Sequence, residues 1–333
     1  MEWATTEISA ITPSMIAPSF TKLIVGTRGS ELALVQAAAT EAALAAAFPH
    51  LLIERKVIKT TGDRRTDVSL AEVAKSEGTF DKGVFIKEIE EALDAGEIDI
   101  AVHSLKDLPT TLDRRYVLAA TLERAPARDA LISLLPGGID GLPHSARVGT
   151  SSVRRAEQLK WMRGDLRILD LRGNVPTRLR KIAEDGNYDA ILLAEAGLVR
   201  LGFIHAVSPV GAMETVIGMP TLFVTRLAED VFFPAAGQGA IALEVRAEDC
   251  PSRSYAEALN HPQTWLRITA EREFLRLLDG GCHTPVGVIT SLSNGTLTLH
   301  ARVFPDAGGT PKSGVASGSD PLVIAQELFT SLT

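Results

Sequence analysis

Apolar positions along this chain switch between a spacing of two and a spacing of three to four, and the switching predicts its elements. Residues 22–26 (KLIVG) read as a short apolar strand. The turn TRGS follows, then an Ala/Leu-rich run at 31–47 that predicts a helix capped by Ser30 and closed at Pro49. Residues 52–60 predict a second strand, and 83–95 a helix with Phe85, Ile89 and Leu93 on one face and Gly96 past its end. Between them, 64–82 has no clean period, and 74–82 reads as a mobile loop. At 99–110 (DIAVHSLKDLPT), Ile98, Ile100 and Val102 alternate with small or polar neighbours, so a strand over 99–103 runs into His103, Ser104, Lys106 and Asp107 before Pro109 stops it. Further strands are expected at 115–122 and 129–134, with a Gly/Pro-rich surface loop at 136–143.

The middle of the chain alternates most cleanly. A strand end at 147–149 leads into a helix reaching about Arg163. A strand at 166–171 leads into a helix with Pro176 in its first turn and Gly186 beyond its end, and a strand at 189–194 into a short helix ending at Arg200. Strand–helix alternation predicts an α/β fold with a parallel sheet, whose strand-to-helix turns share one edge where ligands bind. Thr150, Ser152, Arg154, Arg155 and Arg172 fall on that edge, with Arg178 one turn into its helix. In the first half, Arg28, Lys59, Ser104, Lys106 and Asp107 fall at equivalent strand ends. Arginines at a helix start oppose the helix dipole unless an anion sits there. Residues 202–231 look irregular, with apolar patches. The glycine-rich turn around Gln238 and the strand at 241–245 suit a return to the first domain. From His261 the pattern becomes α+β: a helix at 263–278, a hairpin of 286–291 and 297–303 about Ser293-Asn294-Gly295, and a last helix at 321–332.

A length of 333 residues allows two or three domains. The net charge of −7 argues against a general nucleic-acid binder but leaves room for a local cationic pocket. No apolar run is long enough to cross a bilayer. Residues 1–21 carry no Lys or Arg and read as a loose extension, so a cytoplasmic protein is expected. Cys250 and Cys282 are the only cysteines, and no cluster has metal-ligand spacing, so no bound metal is expected. Cys282 sits in a Gly-Gly-Cys stretch that favours chemistry over packing. A cleft so rich in arginine suits a ligand with several carboxylates or phosphates, and Asp107 is its candidate acid.

Seven stretches resemble the porphobilinogen deaminase (hydroxymethylbilane synthase) family: GTRGSELALVQA from Gly26, HSLKDLPT from His103, GTSSVRRAEQL from Gly149, LRGNVPTRLRKI from Leu171, LLAEAGLVRLG from Leu192, PAAGQGAIALE from Pro234 and GGCHTPVG from Gly280. The resemblance implies three domains: two α/β lobes like those of periplasmic binding proteins, at 22–123 with 239–257 and at 128–233, and a small α+β domain at 261–333. It implies condensation of four porphobilinogen molecules to a linear tetrapyrrole, with loss of ammonia at each step. The primer would be a dipyrromethane cofactor joined covalently to Cys282. Asp107 would be catalytic. Lys106, Ser104, Ser152, Arg154, Arg155 and Gln238 would hold the cofactor. Arg28, Ser30, Thr150, Arg172, Arg178 and Arg200 would hold substrate acetate and propionate groups. The connection over 203–233 is longer than the family's usual one. A monomer is expected, with no nucleic-acid or membrane partner. The rival reading, a binding protein that keeps the cleft without chemistry, would need neither the Gly-Gly-Cys stretch nor Asp107.

Overall fold

The computed structural model describes residues 21–61, 83–207, 213–278, 285–305 and 308–333. Residues 1–20 of the expected extension, the loop expected at 74–82, the Phe85 side chain and Cys282 with its glycines lie outside the described residues.

Two mixed sheets and one antiparallel sheet organise the chain. In the first lobe, β1 (Lys22–Arg28), β2 (Leu52–Ile58), β3 (Ile100–Ser104), β4 (Tyr116–Thr121) and β11 (Ile241–Arg246) lie in the order β2-β1-β3-β11-β4. β1, β2 and β3 are parallel, while β11 runs antiparallel to β3 and β4. Helix α1 (Glu31–Ala47) starts where expected, with Ser30 Oγ accepting from the Ala33 N–H at 3.3 Å. α2 (Gly83–Asp94) buries Ile86, Ile89 and Leu93, the spacing of a helix face packed on a sheet.

The second lobe has the order β7-β6-β8-β5-β10-β9, from β5 (Asp129–Ser133), β6 (Arg147–Gly149), β7 (Arg167–Leu169), β8 (Ala190–Ala194), β9 (Glu214–Val216) and β10 (Met219–Arg226). The parallel expectation holds for β6, β7 and β8. It fails for the other half: β5 is antiparallel to β8, β10 to β5 and β9 to β10. The stretch read as irregular contains the β9–β10 hairpin, which extends the sheet edge. A three-residue strand and a Pro220-bearing neighbour leave too short a pattern for period two to show. Helices α3 (Val153–Met162), α4 (Val175–Glu184) and α5 (Glu195–Arg200) follow β6, β7 and β8.

The chain crosses between lobes twice, after β4 and again before β11. The two crossings lie side by side: the Ala125 N–H donates to the Gly239 carbonyl at 3.2 Å. Gly239 has φ +88°, and a Cβ there would lie 2.4 Å from the Ala125 oxygen, so only glycine allows the approach.

Beyond β11, α6 (Cys250–Glu257) leads to a third domain of α7 (Pro262–Leu277), β12 (Val286–Ser293), β13 (Thr296–Val303), β14 (Lys312–Gly318) and α8 (Pro321–Leu332). Phe274 and Leu328 of the helices pack on Val288, Leu297 and Leu299 of the sheet. The hairpin turns at Asn294 and Gly295 with φ of 50° and 77°, the pair of positive values a two-residue turn needs. β14 was not legible, since KSGVASG is small and polar. Among the described residues no helix is long and apolar enough to cross a membrane.

Candidate functional site

The topology delivers side chains to one place. β3 ends at Ser104 and passes into a single 3-10 turn, Leu105–Asp107. β11 runs antiparallel beside β3 with Ile241 opposite Ser104, so Gln238 arrives at the edge where β3 ends. In the second lobe β6, β7 and β8 end on one edge, delivering Thr150, Arg172 and the start of α5. β5 runs the other way, with Asp129 opposite Ala194, so it delivers its first residue to that edge.

Asp129 is the residue sequence reasoning missed. It is wholly buried, and three side chains converge on it. Arg154 Nη1 donates to Oδ2 at 2.7 Å. Arg155 donates to Oδ1 from Nη2 at 2.7 Å and from Nε at 3.0 Å. Gln238 Nε2 donates to Oδ1 at 3.1 Å. Although burial opposes the charge, the two guanidinium groups and their hydrogen bonds hold the Asp129 carboxyl well below the usual carboxylate range. The anion expected at the start of α3 is therefore first of all Asp129.

Lys106 sits over this group, with Nζ 3.3 Å from Gln238 Oε1. Burial, then the charge of Arg155, pushes its ammonium down to about 8, despite Asp107 and Asp129 nearby. Arg178 donates from Nε to the Gly173 carbonyl at 2.7 Å. Burial, Arg155 and Arg172 push its guanidinium down to about 10, with Asp107 and Asp170 opposing. Arg172 pairs with Asp170 at 3.2 Å. Lys106, Arg154, Arg155, Arg172 and Arg178 thus share one electrostatic neighbourhood with Asp107, Asp129 and Asp170, five cations to three carboxylates. A part-buried surplus of positive charge is costly until an anion enters.

Asp107 is treated differently from Asp129. It is half-buried, and among the described residues no group lies within hydrogen-bond or ion-pair reach of its carboxylate. Its influence on Lys106 and Arg178 places it in the cluster, facing both lobes.

The remaining expected residues form the frame. Ser104 exchanges hydrogen bonds with the Gln36 carboxamide at 2.8 and 3.1 Å. Arg28 ends β1 and Ser30 lies in the turn after it, next to the end of β3. Thr150 Oγ1 accepts from the Ser152 N–H at 3.2 Å, and Ser152 caps α3. Arg200 lies at the crossing, donating to the Gly239 carbonyl at 2.8 Å, and burial pushes it down to about 10. His103 points away into the first lobe, with Nε2 2.9 Å from the buried Glu244 carboxylate, because successive side chains on a strand face opposite sides.

Two further buried carboxylates, each paired with arginine, escaped the sequence. Arg124 at the first crossing donates to Glu271 of α7 at 2.6 and 3.0 Å, and Glu271 also accepts from the Gly237 N–H at 2.8 Å. Glu195 accepts from Arg128 and Arg226, both at 2.7 Å. The first ties the third domain to the crossings and the second closes the start of α5.

Among the described residues Arg154 Nε is buried without a partner. The Lys106 ammonium makes one long bond among the described residues, and a carboxylate-bearing group would satisfy it. A ligand carrying several carboxylates fits this donor set.

Fold and site together define a two-lobed α/β protein with a cluster of cations at the lobe edges and one uncommitted acid among them. Comparison with known proteins names the family. The profile described as porphobilinogen deaminase, dipyromethane cofactor binding domain, matches residues 23–253, and that of the porphobilinogen deaminase C-terminal domain matches 265–313. Relatives named porphobilinogen deaminase include those of Roseiflexus castenholzii (45% identical, covering 93% of this chain and 95% of the relative), Syntrophobacter fumaroxidans (43%, 84% and 83%) and Rubrobacter xylanophilus (42%, 93% and 93%). This chain belongs to the porphobilinogen deaminase family.

Proposed function

We propose that this chain is a hydroxymethylbilane synthase whose chemistry is carried by Asp107 and whose polycarboxylate binding is carried by the cations around Asp129. The reaction is a transfer: four porphobilinogen molecules are joined head to tail, each losing ammonia, and the linear tetrapyrrole is released. The carrying observation is the contrast at the rim, a saturated buried Asp129 beside an unsaturated Asp107 under an excess of positive charge.

Each part of the site then has a task. Lys106, Arg154, Arg172 and Arg178 neutralise acetate and propionate groups, and Arg28 and Arg200 extend that field along the rim, with Ser30 and Thr150 ordering the turns beside it. Arg155 and Gln238 make their contacts with protein, so they act by fixing Asp129 and Lys106, while Ser104 and Ser152 set the turns. Departure of ammonia leaves positive charge on the substrate's methylene carbon. A carboxylate held beside that carbon, with no competing hydrogen bond, stabilises the charge as it develops. The same carboxylate can carry a proton to the leaving amine and take one from the attacked pyrrole carbon. The dipyrromethane, when bound through Cys282, supplies the nucleophilic pyrrole end that starts the chain. The protein acts as a monomer in the cytoplasm, and its net charge of −7 disfavours nucleic acid.

Product and ammonia analysis tests this directly. With porphobilinogen the protein should release four ammonia per tetrapyrrole, and its intact mass should exceed that of the chain by one dipyrromethane. Cys282→Ala should have the bare chain mass and no turnover, while Cys250→Ala stays modified and active. A bare mass for the active wild type, or loss of modification on replacing Cys250 instead, refutes the reading.

A further inference from the structure

Arg302 of β13 makes contacts that its own domain does not need. Its guanidinium carbon stands 4.1 Å from the centre of the Phe233 ring and 4.7 Å from that of Trp161. Nη1 donates to the Val231 carbonyl at 2.8 Å, and Nε is buried without a partner among the described residues. A guanidinium stacked on two rings and bonded to a backbone carbonyl is held in one place and one direction.

Phe233 is where the position matters. Its carbonyl accepts from Arg154 Nη1 at 2.6 Å and from Gln158 Nε2 at 3.0 Å, and its N–H donates to Gln158 Oε1 at 2.7 Å. Its other side is pressed on the third domain. A Cβ at Gly287 would lie 2.4 Å from the Phe233 Cβ, and the Val288 N–H donates to the Pro234 carbonyl at 2.9 Å. Gly287 follows five positions after Cys282. Trp161 lies on α3, about two turns beyond Arg154. Arg302 therefore grips both the far end of the helix that carries Arg154 and the residue whose carbonyl aims it.

We infer that Arg302 is a positioning residue. Stacked on Phe233 and Trp161, it sets the direction of the Arg154 guanidinium and so couples the third domain to carboxylate binding in the cleft. The inference rests on the carboxylate-binding role of Arg154. Arg154 Nη1 is shared between Asp129 Oδ2 and the Phe233 carbonyl, so a shift of Phe233 turns the guanidinium and changes the direction it presents to a carboxylate.

A double-mutant cycle on the full, cofactor-loaded chain tests it. Arg302→Met, which keeps bulk and loses charge, should lower kcat/KM for porphobilinogen about tenfold, mainly through KM, and leave melting nearly unchanged. It should also reduce the fraction of purified chains carrying the cofactor, read by intact mass. Arg302→Lys should recover most of both. On an Arg154→Lys background, Arg302→Met should change either readout by less than about twofold. A full additional loss on that background, or no loss in the wild type, overturns the inference. Where Arg302→Met yields no folded protein, Trp161→Leu takes its place, with about a threefold loss expected; unchanged kcat/KM and loading in that variant also overturn it. If Arg154→Lys alone alters neither readout, the carboxylate-binding role itself fails, which is a separate result.

Discussion

Two aspartates stand at facing rims of this molecule, and the chain treats them oppositely. On the second lobe, Asp129 is wholly buried and receives donors from Arg154, Arg155 and Gln238. On the first, Asp107 is the last residue of a single 3-10 turn and has no described partner within hydrogen-bond reach. The residue type is the same and the neighbours are largely shared, yet one carboxylate is spent on holding cations in place and the other is left for substrate. A buried carboxylate saturated with donors is committed to its partners, whereas an unsaturated one keeps its oxygens open to a ligand.

Removing the charge of the saturated member should have the largest effect on stability. Asp129→Asn leaves Arg154 and Arg155 buried without their anion, a loss of about 3–5 kcal/mol. Chemical denaturation should show it, and a variant as stable as wild type would mean that Asp129 is not the keystone of the rim. The low-lying Asp129 carboxyl also fixes the pH direction. Its contribution is complete above the ordinary aspartate range and is lost only as pH falls below it.

Lys106 sharpens the comparison through pH. Its ammonium is held down to about 8 from 10.5, so between those values the unfolded chain binds the proton more than the folded one. Stability should therefore rise with pH across that window. Carboxylate binding needs the charged form, so KM should move the other way, rising by up to about tenfold per unit above pH 8. Lys106→Arg should remove the rise in KM, since a guanidinium stays charged throughout. A KM profile that is the same in wild type and Lys106→Arg would show that Lys106 does not meet substrate. The smallest effect expected is that of Ser30→Ala, which removes the cap of α1 and should cost about 1 kcal/mol with little change in kcat. A large loss of kcat/KM at unchanged stability would give Ser30 a direct substrate contact.

The contrast also marks where sequence was sufficient. α1 and the strand feeding Asp107 were legible because their patterns are local: an N-cap serine, a run of small apolar residues, alternation ending at a proline. The cationic rim was legible because arginines at helix starts are unusual. Asp129 was not, since its partners lie 25 and 26 residues away and a lone acid opening a strand has no periodic signature. The Arg124–Glu271 pair, 147 residues apart, is hidden for the same reason. The β9–β10 hairpin and β14 were missed through brevity and small-residue composition. The antiparallel run of β5 could not be inferred from strand–helix alternation, and it is that reversal which carries Asp129 to the rim.

The division of labour is tested most directly by the single-turnover rate of ammonia release from Asp107→Asn protein whose cofactor is verified by intact mass. The account predicts a rate at least about a thousandfold below wild type, with melting within a few degrees, because an uncommitted carboxylate is lost and no network is broken. Ammonia release near the wild-type rate, or a collapse in stability like that expected of Asp129→Asn, would contradict it.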